Sequence, residues 1–295
     1  MTGRERLFLA LIVLAWAGNF LASAEALSRI PPFWFTLLRF LVVLAALLPC
    51  LAPVPRSQWP RLFLVCLCTG ALHLGLNFWA LAEGGIGVVA ILLQSYVPLS
   101  ALLAWCLLGE RIGWRGASGI AIAFLGVVAI GLARGEGAAS SAALVLSLLA
   151  ALLLALGTVA MRALSGISAL SLQAWNALLG IPVLLPLALL LEGPPEGFLP
   201  AVEPRHWAGV LYSALAASIL GHGLLYALLR HHPVAAITPH LLLTPVVAIG
   251  LAALFGREQP GATLLAGGAL VLGGSLMVAR RARSRASRPG PSAIG

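Results

Sequence analysis

The chain has 295 residues, 61% of them hydrophobic and 9% charged, with a mean hydropathy of +1.03 and a formal net charge of +9. Soluble domains carry about 25% charged residues, so a water-solvated globular fold is excluded and lipid is the expected surrounding. Every basic residue is Arg and every acidic residue Glu, and Arg280, Arg281, Arg283, Arg285 and Arg288 cluster near the end, where anionic lipid is a better partner than nucleic acid.

A helix needs about 20 apolar residues to cross the hydrocarbon core. Read between charges and Pro or Gly clusters, the chain offers ten such stretches: 7–27, 33–51, 61–81, 85–108, 113–133, 140–163, 169–190, 207–229, 233–255 and 260–280. The first follows Arg4 and Arg6 and ends near Ala22-Ser23-Ala24, which imitates a cleavable leader. Cleavage would delete one element of a repeat described below, so the span is kept. It carries a polar stripe of Trp16, Asn19 and Ser23, with Glu25 at its outer end. The second span opens after Pro31-Pro32 and holds Arg39 internally, for which Glu25 is the expected partner in a structural or gating ion pair. The third carries His73 and Asn77, and the fourth Gln94, Tyr96 and Pro98, ending before Gly109-Glu110-Arg111. Gly116, Gly119 and Gly126 mark the fifth, and Trp175-Asn176 lie early in the seventh. The eighth bears Ser218, His222, Tyr226 and Arg230 at intervals of four. The ninth holds His240, Thr244 and Pro245, and the tenth Gly267, Gly268, Gly273 and Gly274.

Two patterns organise these spans. Pro98 and Pro245 lie 147 residues apart, and each is followed eleven residues later by a Gly with two charges, Gly109-Glu110-Arg111 and Gly256-Arg257-Glu258. Gly119 and Gly267 lie 148 apart. Each half holds five spans, an odd number, so the second copy enters the membrane inverted, the plan of alternating-access transporters. With the N-terminus in the cytoplasm, thirteen arginines fall inside and four outside, which satisfies the positive-inside rule. The expected fold is an all-α integral membrane protein of ten transmembrane helices. Residues 1–137 and 138–280 form two inverted five-helix repeats around a central cavity, followed by a disordered basic cytoplasmic tail, 281–295.

Polar side chains in mid-membrane must meet a partner or a water-filled cavity. On that ground Trp16, Asn19, His73, Asn77, Gln94, Tyr96, His222, Tyr226, His240 and Thr244 are the expected substrate contacts. Each could instead serve interhelical hydrogen bonding, worth about 0.6 kcal/mol; five spans each with one polar face favour the cavity. A proline inside a helix frees the carbonyl four residues earlier, so Pro98 and Pro245 are expected to interrupt equivalent helices at Gln94 and Leu241. There is no Asp, no nucleotide-binding loop and no nucleophile motif, so neither an enzyme nor ATP-driven transport is expected. Cys50, Cys66, Cys68 and Cys106 form no C-x-x-C pair, and no metal or cofactor is expected. The glycine faces suit either a monomer or a homodimer.

Trp16-Ala17-Gly18-Asn19-Phe20, Leu38-Arg39-Phe40, Leu107-Leu108-Gly109-Glu110-Arg111 and the glycine-rich stretch from Gly119 to Gly126 together resemble the EamA branch of the drug/metabolite transporter superfamily. The resemblance spans nearly the whole chain. It implies a ten-helix inverted-repeat fold and export of small metabolites, with the O-acetylserine/cysteine and aromatic amino acid exporters most similar. The second half departs from the family pattern by reading Gly256-Arg257-Glu258, and the first span lacks the carboxylate of the small multidrug-resistance relatives. An inner-membrane exporter of amino acids, aromatic and other neutral ones included, is therefore expected, driven by the substrate gradient. A broad, proton-coupled drug exporter is the alternative.

Overall fold

A computed structural model describes residues 2–133, 140–232 and 234–286. Every regular element among them is helical. Nine helices among the described residues are long and apolar enough to cross a membrane, with a shorter apolar helix at Pro239–Leu254. Residues 287–295 of the expected tail lie outside the described residues.

Helix α1 (Gly3–Leu27) starts in a capping box: the Thr2 hydroxyl accepts from the Glu5 N–H, and the Glu5 carboxylate accepts from the Thr2 N–H at 2.6 Å. Helix α2 (Pro32–Leu47) starts on a proline, whose missing N–H is no loss in a first turn. Its next two N–H groups, from Phe33 and Trp34, donate to the Glu192 carboxylate at 2.9 and 3.0 Å. A carboxylate there also faces the positive end of the helix dipole. Glu192 caps helix α9 (Ala169–Leu191) at its C-terminus, so one residue ties the ends of two packed helices.

The third span is not a uniform helix. Helix α3 (Trp59–Cys66) passes through a π-helical segment, Leu67–Leu72, into α4 (His73–Gly84). Half a chain later α10 (Pro204–Tyr212) passes through a π-helical segment, Ser213–Gly221, into α11 (His222–Leu229). Breaks recur as well. Helices α5 (Ile86–Leu93) and α6 (Tyr96–Leu108) are separated at Gln94-Ser95, and α12 (Val234–Leu241) and α13 (Thr244–Leu254) at Leu242-Leu243. Pro98 and Pro245 therefore stand in the first turns of α6 and α13, where a proline is tolerated. The interruptions expected at Gln94 and Leu241 are thus present, but each proline opens the following helix instead of lying within one.

Helices α7 (Trp114–Gly131), α8 (Ser141–Met161) and α14 (Ala262–Ala286) complete the bundle. In lipid, apolar side chains gain little by leaving their surroundings, so close backbone approach becomes the means of packing. Helices α7 and α14 use it fully: a Cβ on Gly126 would meet the Gly267 carbonyl oxygen, and one on Gly274 would meet the Gly119 carbonyl oxygen and the Ala123 backbone. The glycine faces pack within one chain. Leu125 and Val128 on α7 and Leu132 just after it remain exposed and suit a lipid-facing surface.

Two outcomes follow for the purified full chain in detergent. Gly274→Ala must push two helix backbones apart, a strain of about 1–3 kcal/mol, and is expected to lower the melting temperature. A Cβ on neighbouring Gly273 meets nothing within 4 Å, so Gly273→Ala is expected to leave it unchanged or raise it. For Glu192, burial raises the carboxyl above its ordinary value of 4.5, with the Phe33 and Trp34 N–H bonds pulling partly back. The folded state then takes up that proton more readily than the unfolded chain. The group's contribution to stability is fullest below the ordinary carboxylate value and is lost as pH rises through the folded-state value. The melting temperature of wild type minus that of Glu192→Gln should therefore fall as pH is raised from about 4 to 7.

Candidate functional site

The wide turns decide where polar groups can meet. A π turn displaces the regular i to i−4 ladder and makes carbonyls available to side chains. In Ser213–Gly221 the Ser218 hydroxyl donates to the Ser213 carbonyl at 2.9 Å, five residues back. The Trp16 indole N–H of α1 donates to the Ala217 carbonyl at 3.1 Å. Its ring lies 5.3 Å from that of His222, tilted by 53°. His222 Nδ1 lies 3.2 and 3.1 Å from the Ala217 and Ser218 carbonyls, a geometry satisfied by the Nδ1–H tautomer.

Arg39 of α2 reaches the same segment. Its Nε–H and Nη2–H both donate to the Ser218 hydroxyl oxygen, at 3.0 and 2.7 Å. The guanidinium lies 5.5 Å from the centre of the Phe78 ring on α4, which is itself edge-on to Phe35. Arg39 is only 5% exposed, and its charge reaches both His73 and His222. His73 turns to α8, donating from Nδ1 to the Ala150 carbonyl at 2.9 Å. Asn77 is buried, and its Oδ1 has no hydrogen-bond partner among the described residues. Trp16 and His222 are thus brought together with Arg39, with His73 close enough to feel its charge.

The other expected contacts lie elsewhere. Tyr96 packs with Val97, Ile120, Leu242 and Val278 where the two helix breaks approach α7 and α14. The Gln94 carbonyl accepts from the Ser275 hydroxyl at 3.3 Å. Thr244 is buried beside Pro245, and its hydroxyl has no partner among the described residues. Asn19 is occupied locally, accepting from Ser23 on its own helix at 3.3 Å. Tyr226 is 38% exposed and His240 is exposed.

Glu25 does not meet Arg39. Its carboxylate pairs with Arg205 at 3.4 Å and with Arg257, at the end of the bundle remote from Thr2. The expected Glu25–Arg39 pair is replaced by two separate arrangements, Arg39 on the Ser218 hydroxyl and Glu25 with Arg205 and Arg257. Next to this ion cluster opens a cavity of about 230 Å³ lined by Leu21, Ala24, Leu81, Gly85, Ile86, Arg257 and Glu258. None of the ten expected substrate contacts lines it. Glu258 also accepts from the Gly87 N–H at 3.0 Å, so the inverted Arg257-Glu258 order supplies a helix cap and an ion pair from adjacent residues. At the opposite end Glu5 pairs with His232 at 2.9 Å and Glu110 with Arg162 at 2.6 Å.

Two partners escaped the sequence reading. Phe78 looked like any core aromatic, and only the cation resting on it marks it out. Ser218 belonged to a recognised polar stripe, yet nothing in a stripe predicts a turn wide enough to pair it with Arg39. Among the described residues no group of three or more His, Cys, Asp or Glu side chains could hold a metal ion.

Comparison with known proteins agrees with this architecture. The EamA-like transporter family model matches twice, at residues 4–132 and 141–280. A protein of Salmonella typhimurium named "Probable amino-acid metabolite efflux pump" is 30% identical, covering 93% of this chain and 94% of its own. Its namesake in Escherichia coli is 26% identical over the same shares. A "Probable terminal-alkyne amino-acid exporter" of Streptantibioticus cattleyicolor is 30% identical over 96% of both chains. One protein crystal structure superposes on 98% of this chain and 100% of that one, with a TM-score of 0.63 at 19% identity, a likeness of fold. The chain is a multi-pass membrane protein and belongs to the EamA-like transporter family.

Proposed function

We propose that this protein exports amino acids and related small metabolites, aromatic and other neutral ones included, across the bacterial inner membrane by alternating access without ATP. The observation that carries the reading is the cluster of Trp16, Arg39, Ser218 and His222, built from both halves of the chain around a buried guanidinium. Such a cluster is costly in lipid unless it serves a polar ligand. The relatives named as amino-acid efflux pumps and exporters support amino acids as the ligand class. A cationic drug would meet the charge of Arg39 there, which weighs against the broad drug exporter.

In this reading the ninth span counts as crossing the membrane in two pieces, giving ten spans in two inverted repeats. The recurrence of π segments and helix breaks half a chain apart supports it. Both termini face the cytoplasm, as the arginine bias requires. The breaks before Pro98 and Pro245 act as hinges. Glu25 with Arg205 and Arg257 closes the outer end, and Glu5 with His232 the inner. The mutual burial of the glycines of α7 and α14 supports the single chain as the transport unit. His73, Asn77, Gln94, Tyr96 and Thr244 join the substrate path as the hinges move.

Cells overproducing the protein are expected to release neutral amino acids several-fold faster than controls, and ATP depletion with the substrate gradient kept should leave the efflux intact. Protection against cationic dyes without amino-acid release would overturn the reading. Glu25→Gln weakens two exposed pairs, worth less than about 1 kcal/mol. Its melting temperature should barely move while its efflux rate changes by more than twofold; an unchanged rate would remove Glu25 from the gate.

A further inference from the structure

Arg39 has chemistry that the fold leaves incomplete. A guanidinium carries five N–H donors in a planar fork. The Nε and Nη2 side of the fork converges on one neutral hydroxyl, that of Ser218. Nη1 is buried and has no hydrogen-bond partner among the described residues. The open edge, between Nη1 and Nη2, is the edge that binds a carboxylate through two parallel bonds.

Among the described residues no carboxylate pairs with Arg39. There is no Asp, and the described glutamates lie at helix ends or in loops: Glu25 and Glu83 in last turns, Glu192 and Glu203 as caps. The Ser218 hydroxyl and the Phe78 ring are the neighbours of the guanidinium, and neither brings a negative charge. The Phe78 ring and the Ser218 hydroxyl offset part of the cost of a buried cation, but an ion held away from water is ordinarily paired with an opposite charge. The missing counter-ion has a defined shape, planar and bidentate.

We propose that Arg39 is the carboxylate receptor of the transport site: the substrate's free carboxylate takes the open Nη1/Nη2 edge, with Trp16 and His222 beside the rest of the molecule. This rests on the export reading above and narrows it to ligands bearing a free carboxylate, excluding their amides, esters and decarboxylated amines. Ser218 positions the guanidinium and leaves the open edge turned to the ligand. Lysine keeps the charge but has no fork, so it cannot replace arginine here.

The test uses purified full-length protein and equilibrium binding of each neutral amino acid that the wild type exports, set against its own carboxamide. Wild type is expected to prefer the acid at least tenfold. Arg39→Gln and Arg39→Lys should each lose at least tenfold in acid affinity while amide affinity stays within twofold, so the preference collapses. Should the Arg39 variants fail to insert, Ser218→Ala, which removes one hydroxyl and its two bonds to the guanidinium, should change the acid-to-amide ratio by more than threefold. Equal binding of acid and amide by wild type, equal losses for both in the Arg39 variants, or an unchanged ratio in Ser218→Ala would overturn the proposal. If wild type exports no amino acid, the export reading itself fails. If it exports and binds amino acids regardless of Arg39, this inference alone fails.

Discussion

A backbone in hydrocarbon has no water to fall back on, so every amide and carbonyl must find its partner inside the protein. The structure meets that demand by helices nearly everywhere and departs from it at four places, two π segments and two breaks. Two of these departures receive a side chain from another helix. Trp16 takes the Ala217 carbonyl, and Ser275 takes that of Gln94. Ser218 covers Ser213 and in turn receives Arg39. The polar centre exists because the helices are imperfect there, and the imperfections are held open by the polar centre.

Electrostatics then separates the molecule into layers. Ion pairs lie at the two ends, Glu25 with Arg205 and Arg257 at one and Glu110 with Arg162 at the other. Between them sits one buried guanidinium that shares its bonds with a hydroxyl and an aromatic face. Exposed pairs exchange readily with water and are individually weak, which suits contacts that must open and close. A buried cation is strong in the opposite sense, since anything that neutralises it gains in a medium of low dielectric.

Much of this was legible in the residues. Nine of the ten expected spans stand as long apolar helices among the described residues, and the matched prolines located both breaks to within a few residues. The prolines misled only about mechanism, since Pro98 and Pro245 begin new helices rather than interrupt old ones. Trp16, His222 and Arg39 were each visible as polar positions in apolar spans. Their convergence was not, because it depends on the extra residue in a π turn, which rotates Ser218 relative to a regular helix and has no sequence signature of its own. Glu25 was placed at the correct end but with the wrong partner. Distance along neighbouring spans suggested Arg39, while the loops brought Arg205 and Arg257 from the other half of the chain. Tyr226 and His240 shared the spacing of their stripes yet ended on exposed surfaces.

The reversed charge order after Gly256 has a mechanical meaning. Arg257 grips α1 through Glu25, while Glu258 grips the start of α5 at Gly87. Two adjacent residues on one short loop thus form a rivet between helices that the chain itself joins only through some sixty residues of intervening structure. Pulling α1 away from α5 at that end strains both attachments together. Opening there should behave as a single cooperative rupture, all or none, rather than as a gradual widening of the cavity beside it.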